Sequence, residues 1–184
     1  PSTFANALRD CARLETYAPG LKRLMTHAVT PGLIGGPDIF VSFTHKYCPA
    51  DAQLVKTNAN TELWWYICCV PREPFITLFI DHPTTALRFC LWQAWANEIQ
   101  GIFVWHSNYW NASAAYPDPE HPQNPYEDAN SGLKPAMVEN YYAGRFGNGD
   151  VRFLYPPEAA ASGTPEGPLL DGPVDSIRWE MLRD

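Results

Sequence analysis

The run Glu62-Leu63-Trp64-Trp65-Tyr66-Ile67-Cys68-Cys69-Val70 constrains this chain more than any other segment. Eight of its nine residues are apolar or aromatic, so it lacks the alternation that a strand with one wet face would show. Such a strand reads as covered on both faces, the usual situation in a parallel sheet. Pro71 stops it, because proline cannot donate to a strand ladder. A parallel sheet needs crossover helices, and the rest of the chain supplies their pattern.

Phe4, Leu8, Cys11 and Ala12 recur at three- and four-residue spacing and predict a first helix, with Ser2 or Thr3 as cap and Pro19-Gly20 as stop. A short strand is expected over residues 21–29 and a second over 38–43, the latter ending in Thr44, His45 and Lys46. Residues 50–56 read as a weak helix. Thr84 or Thr85 opens a stronger one with the stripe Leu87, Leu91, Trp95 and Ile99, for which Gly101 is the expected left-handed stop. A fourth strand is expected over 102–106 and a closing helix over 176–183. This order predicts an α/β fold with parallel strands. Four strands at about 31 residues per unit correspond to half of a ~250-residue (β/α)8 TIM barrel, completed by another half; an open three-layer sheet is the alternative. As a half-barrel the chain would leave the strands at 21–29 and 102–106 as unpaired edges, so it is not expected to be stable as a lone monomer.

Charge is concentrated in one segment. Residues 112–175 hold ten of the 20 acidic residues but three of the 13 basic ones, together with ten of the 18 prolines and seven of the 12 glycines. They read as a long acidic loop inserted after the fourth strand, packed down by Tyr141, Tyr142, Phe146, Phe153, Leu154 and Tyr155. The net charge of -7 resides in that segment, and no basic stripe is present to follow a phosphate backbone, so nucleic acid is not an expected partner. No apolar run reaches the ~20 residues of a membrane-spanning helix, and membrane is not an expected partner either. The chain opens on Pro1-Ser2-Thr3-Phe4 without a signal-peptide pattern or a starting methionine, and is expected to be processed or an excerpt of a longer protein. Five cysteines without C-x-x-C spacing read as free thiols, those at Cys68, Cys69 and Cys90 buried; no metal site and no cofactor are expected.

In parallel α/β folds ligands meet the carboxyl ends of the strands. Here those ends carry His27, then Thr44 and His45, then Tyr66 to Cys69, and then Trp105-His106-Ser107-Asn108-Tyr109-Trp110-Asn111. The last group combines flat rings, which stack on the C–H face of a sugar, with amides that bond to hydroxyls. Tyr66, Trp105, His106, Asn108, Tyr109 and Trp110 are therefore the expected substrate-binding residues. Packing is the competing role, and of the adjacent Trp64 and Trp65 at most one can face a pocket. These strand ends carry no pair of carboxyl groups of the kind that glycoside hydrolysis usually requires, so no catalytic residue is expected within the chain. G-x-S-x-G, glycine-rich phosphate-loop and H-E-x-x-H motifs are also absent.

Glu62 to Cys68, then Pro71, Phe79-Ile80-Asp81, Arg88 to Trp92, Gly101 to Trp105, Asn108-Tyr109-Trp110, Gly149-Asp150 to Tyr155-Pro156 and Ser176 to Asp184 resemble, in that order, the C-terminal part of the catalytic domain of glycoside hydrolase family 123 and its relatives. The resemblance implies a barrel, usually preceded by a β-sandwich, that removes β-linked N-acetylgalactosamine. It also implies a substrate-assisted mechanism, in which the sugar's acetamide oxygen attacks the anomeric carbon, an Asp orients the acetamide and an adjacent Glu protonates the leaving oxygen. No Asp-Glu dipeptide occurs in these residues. On this resemblance residues 1–184 form strands five to eight of the barrel, cut at both ends and inactive alone, with carbohydrate as partner and an extracellular or periplasmic location. A non-catalytic carbohydrate-binding or structural relative is the alternative.

Overall fold

The computed structural model describes residues 2–57, 60–72, 74–110, 124–126, 148–157 and 172–183. Asn111, Tyr141, Tyr142, Phe146 and most of the acidic segment lie outside the described residues. Helices α1 (Ser2–Tyr17), α2 (Pro49–Lys56), α3 (Thr85–Ala96) and α4 (Ile177–Arg183) are interspersed with strands β1 (Leu24–Met25), β2 (Ile39–Phe43), β3 (Glu62–Ile67), β4 (Gly101–Val104), β5 (Leu154–Tyr155) and β6 (Val174–Asp175). The first four strands form one sheet in the order β1-β2-β3-β4. β1 pairs parallel with β2 (Leu24 opposite Ile39), and β2 pairs parallel with β3 (Ile39 opposite Glu62, Phe43 opposite Tyr66). The fold is thus α/β with a parallel sheet.

Two compact units divide the chain, one of residues 1–66 and 92–103, the other of residues 67–91 and 104–184. The core of the first is Leu33, Phe40, Ala52, Val55 and Leu63, with Phe4, Ala7 and Met25 packed against it. α1 presents Phe4, Ala7, Leu8 and Cys11 inward, whereas Ala12, expected on that face, is exposed. Arg23 ties the start of β1 to the start of β2. Its Nε and Nη2 each donate to the Asp38 carboxylate at 2.7 Å, and its backbone N–H donates there at 2.8 Å. Glu15 on α1 reaches the same guanidinium at 3.0 Å.

Several expected elements are shorter or differently faced. β1 keeps two of the nine expected residues, because the His27 N–H turns back to the Met25 carbonyl. β3 alternates, with Leu63, Trp65 and Ile67 buried and Glu62, Trp64 and Tyr66 partly exposed, so it is fully covered on one face only. It also ends at Ile67, since Cys68 and Val70 pair with each other across Cys69, at φ 52°. α3 buries Leu87, Cys90 and Ala94, while Leu91 and Trp95 are exposed, Trp95 to 84%. A strict four-residue step overshoots each full helical turn by about 40°, which carries Trp95 off the face that Leu87 defines. β5 and β6 form a short antiparallel pair that the proline-rich sequence did not signal.

The left-handed position after α3 is taken by Glu98, at φ 56°, rather than by Gly101. Gly101 begins β4, and its reason is contact: a Cβ there would lie 2.6 Å from the Trp64 ring. Gly101→Ala is expected to lower unfolding free energy by roughly 1–3 kcal/mol, the usual cost of overpacking, as read by urea denaturation. An unchanged midpoint would show that the Trp64 ring yields freely.

Hydrogen bonds from the Arg23 side chain hold the Asp38 carboxyl below the usual carboxylate range. A depressed carboxylate contributes stability that is complete above its unfolded value of ~3.9 and is lost as pH falls through its lower folded value. Asp38→Asn is therefore expected to flatten the acid limb of the stability profile below about pH 4. A limb as steep as that of the unsubstituted protein would assign acid unfolding to other groups.

Candidate functional site

Past β4 the chain enters the loop from Trp105 to Trp110, and His106 adopts φ 61°. The ring centroids of Trp105 and His106 lie 4.5 Å apart, those of His106 and Tyr109 5.1 Å, and those of Trp105 and Tyr109 5.7 Å. His106 and Asn108 are exposed, while Trp105, Tyr109 and Trp110 are half-buried. The result is a three-ring aromatic cluster with an imidazole and an amide at the surface. Such a set can stack on an apolar sugar face and exchange hydrogen bonds with hydroxyls.

A second segment, residues 149–154, fixes this loop. The Tyr109 N–H donates to the Val151 carbonyl at 3.0 Å, and the Phe153 and Leu154 N–H groups donate to the Ser107 carbonyl at 2.7 and 2.9 Å. The backbones of Asn108 and Arg152 form a bridge. Trp110 Nε1 donates to the Leu154 carbonyl at 2.7 Å, so its polar edge serves to anchor the loop. Arg152, wholly buried, donates to the Tyr109 and Trp110 carbonyls at 3.2 Å each.

Arg178 of α4 holds that second segment in turn. It is 1% exposed and donates to the carbonyls of Leu78, Gly149 and Arg152. Phe153 lies under the guanidinium, 5.4 Å from it to the ring centroid. Gly149, at φ 72°, leaves room for that side chain: a Cβ there would be 3.1 Å from Arg178 Nη1 and 2.6 Å from Ile80. Ser176 caps α4 by accepting the Trp179 N–H at 3.3 Å, which sets the helix start and the position of Arg178.

Tyr66 belongs to the other unit, where it stacks on Phe43 at 4.7 Å and meets Phe103 edge-on at 5.3 Å. In that unit His45 sits 5.5 Å from Phe43, and desolvation, helped by Lys46, lowers its pKa. Trp65 is buried at 5% exposure and Trp64 lies over Gly101, so neither matches the Trp105 group in exposed ring edge and amide. The loop therefore brings together Trp105, His106 and Tyr109, flanked by Asn108 and Trp110.

Two features of the second unit were not singled out from the sequence. Tyr126 and Tyr155, with centroids 5.3 Å apart, flank an open groove lined also by Ile80, Val174 and Ile177. Nothing in the spacing of residues 126 and 155 joins them; the Tyr126 hydroxyl does, by donating to the carbonyl of Pro156, next to Tyr155. The other is Asp150, wholly buried, whose carboxylate accepts the N–H of Cys69 at 2.6 Å and of Val151 at 2.9 Å. Burial pushes this carboxyl above the usual range against the pull of those N–H groups, and the Cys69 thiol is pushed up by its hydrogen bond to Cys68 and by burial. Cys48, by contrast, is exposed. No helix among the described residues is long and apolar enough to cross a membrane.

Residues 25–184 match the family model described as glycoside hydrolase 123, catalytic domain. No curated protein matches the chain.

Arg178→Ala would strand three carbonyls in a buried site, and is expected to lower unfolding free energy by about 3 kcal/mol or more. Arg178→Lys should recover only part of that loss, since an ammonium cannot reproduce the planar fork of a guanidinium. Denaturation midpoints read both effects; equal stability of all three proteins would show that Arg178 is not the latch.

Proposed function

The chain belongs to the glycoside hydrolase 123 catalytic-domain family, and from that premise we propose that it is the C-terminal half of a (β/α)8 barrel that acts on β-linked N-acetylhexosamine, of the N-acetylgalactosamine type. In support, the sheet order β1-β2-β3-β4 follows the chain without reversal, as in an arc of a barrel, whereas a doubly wound open sheet reverses at a switch point. On this reading residues 1–184 supply strands five to eight and the acidic loop of residues 112–175. The remaining strands, and the β-sandwich usual before such a barrel, are supplied elsewhere.

The observation that carries the reading is the Trp105–His106–Tyr109 cluster, held by Arg152 directly after a strand of the sheet. Trp105 and Tyr109 offer ring faces for a hexose, and His106 and Asn108 offer polar atoms for its hydroxyls or acetamide. Trp110 fixes the loop that presents them. Hydrolysis is substrate-assisted: the acetamide oxygen attacks the anomeric carbon as the glycosidic bond breaks, and the leaving oxygen takes a proton from a Glu whose neighbouring Asp steadies the acetamide. No Asp-Glu dipeptide is present in residues 1–184, so the pair belongs to the part of the barrel supplied elsewhere.

Residues 1–184 alone are expected not to hydrolyse a chromogenic β-N-acetylgalactosaminide, whereas the barrel completed by the residues that supply the acidic pair should bind N-acetylgalactosamine and turn the substrate over. Turnover by the 184 residues alone would overturn the mechanism. Sugar binding without turnover in the completed barrel would favour a non-catalytic carbohydrate-binding relative. In the sugar-binding form, Asn108→Ala should cost roughly 0.5–1.5 kcal/mol of affinity, about two- to tenfold, with little change in melting temperature. Trp105→Ala should weaken binding more. If both variants lower the melting temperature and leave affinity unchanged in calorimetric titration, the cluster is packing and the site lies elsewhere.

A further inference from the structure

Cys68, Cys69 and Asp150 have no part in the sugar reading, and they converge. The two sulfurs lie 3.2 Å apart, and among the described residues the donor atoms of this trio all fall within 4.8 Å of one another. We propose that Cys68, Cys69 and Asp150 form a binding site for one thiophilic divalent cation of the zinc or cadmium class, with two thiolates and one carboxylate as ligands.

Adjacent residues of a strand point to opposite faces, so a Cys-Cys pair inside a strand could not chelate one ion. Here β3 ends at Ile67 and the chain doubles back: the Cys68 N–H donates to the Val70 carbonyl at 3.0 Å, the Val70 N–H returns to the Cys68 carbonyl, and Cys69 between them is at φ 52°. That turn brings both sulfurs together. Asp150 is oriented by one backbone N–H on each carboxylate oxygen, from Cys69 and Val151. A carboxylate oxygen accepts more than one contact, so both remain competent to ligate.

The spacing favours an ion over a disulfide. Two sulfurs ~2.3 Å from a tetrahedral zinc ion lie about 3.7 Å apart, so these would separate by about 0.5 Å. A disulfide, at ~2.05 Å, would require them to close by more than 1 Å and would give the buried carboxylate no role. Cys68 and Asp150 are buried and Cys69 is half-exposed, which gives the ion a route of entry through Cys69. As the dication enters, each thiol releases its proton to solvent; two sulfur–metal bonds form and two protons leave. The Arg178 guanidinium, whose charge acts on Asp150, offsets the negative charge left on the group.

The test uses the full chain, reduced and stripped with a chelator, then titrated with Cd2+ while the thiolate-to-cadmium absorption is followed. One equivalent should bind, and Cys68→Ser and Cys69→Ser should each abolish that stoichiometric step. Asp150→Asn should weaken it roughly tenfold or more, and Cys48→Ser, at the exposed thiol, should leave it intact. Alkylation mapping of the unsubstituted protein gives a readout that depends on no variant: Cd2+ should protect Cys68 and Cys69 but not Cys48. Unprotected Cys68 and Cys69 in the presence of Cd2+, or a stoichiometric step that survives Cys68→Ser, would overturn the proposal. So would a Cys68–Cys69 disulfide as the form in which the protein is isolated, if no cation is taken up after its reduction.

Discussion

Parallel pairing is the constraint on which the rest of the structure depends. When β1, β2 and β3 run in one direction, each must be followed by a connection that returns to the same end of the sheet, and all their carboxyl ends fall along one edge. α2 lies on such a return, between β2 and β3. The same constraint explains why chemically capable residues follow strands here: Thr44, His45 and Lys46 after β2, and Cys68 and Cys69 after β3. Side chains needed inside a strand for packing are not available for chemistry, whereas residues just beyond the ladder keep both position and freedom.

The second unit relies on a different principle. Among its described residues the sheet is only the two-residue pair β5–β6, and buried guanidinium groups tie together the irregular backbone around it. Arg152 and Arg178 reach five carbonyls between them, drawn from residues 78, 109, 110, 149 and 152. A planar group with five N–H donors suits irregular backbone, whose carbonyls would otherwise be buried without partners. Desolvation lowers the Arg178 pKa, and the neighbouring Tyr155 and Asp150 side chains counter it in part. The arrangement is specific because each donor is matched to a carbonyl at a fixed place, and loosening α4 would release several turns together.

Much of the α/β alternation was legible because it follows from local signals. Pro19-Gly20 stops α1, with Gly20 at φ 93°, and the apolar run from Glu62 marks β3. Faces were less legible than elements. Trp95 looks like core by composition and spacing, yet the turn of α3 directs it outward. Gly101 looks like a helix stop, yet its small size is needed beneath Trp64. At the site, the aromatic and amide density of residues 105–110 stands out in one dimension. The anchors do not, because Arg152 and Arg178 look like ordinary surface cations until burial is known. Asp150 meets Cys69 across 81 positions, and no local period could announce that contact.

The reach of Arg178 also has a consequence in time. A ribosome emits the chain from its N-terminus, and the first unit is complete once Phe103 has emerged. The second unit cannot close then, because its latch lies one hundred positions beyond the Leu78 carbonyl that it grips. At ~5–20 residues per second, that separation amounts to roughly 5–20 s during which the Leu78 carbonyl waits without its partner. The nascent protein therefore passes through a stage with one unit formed and an adjoining apolar stretch uncovered, a natural moment for a chaperone to hold it.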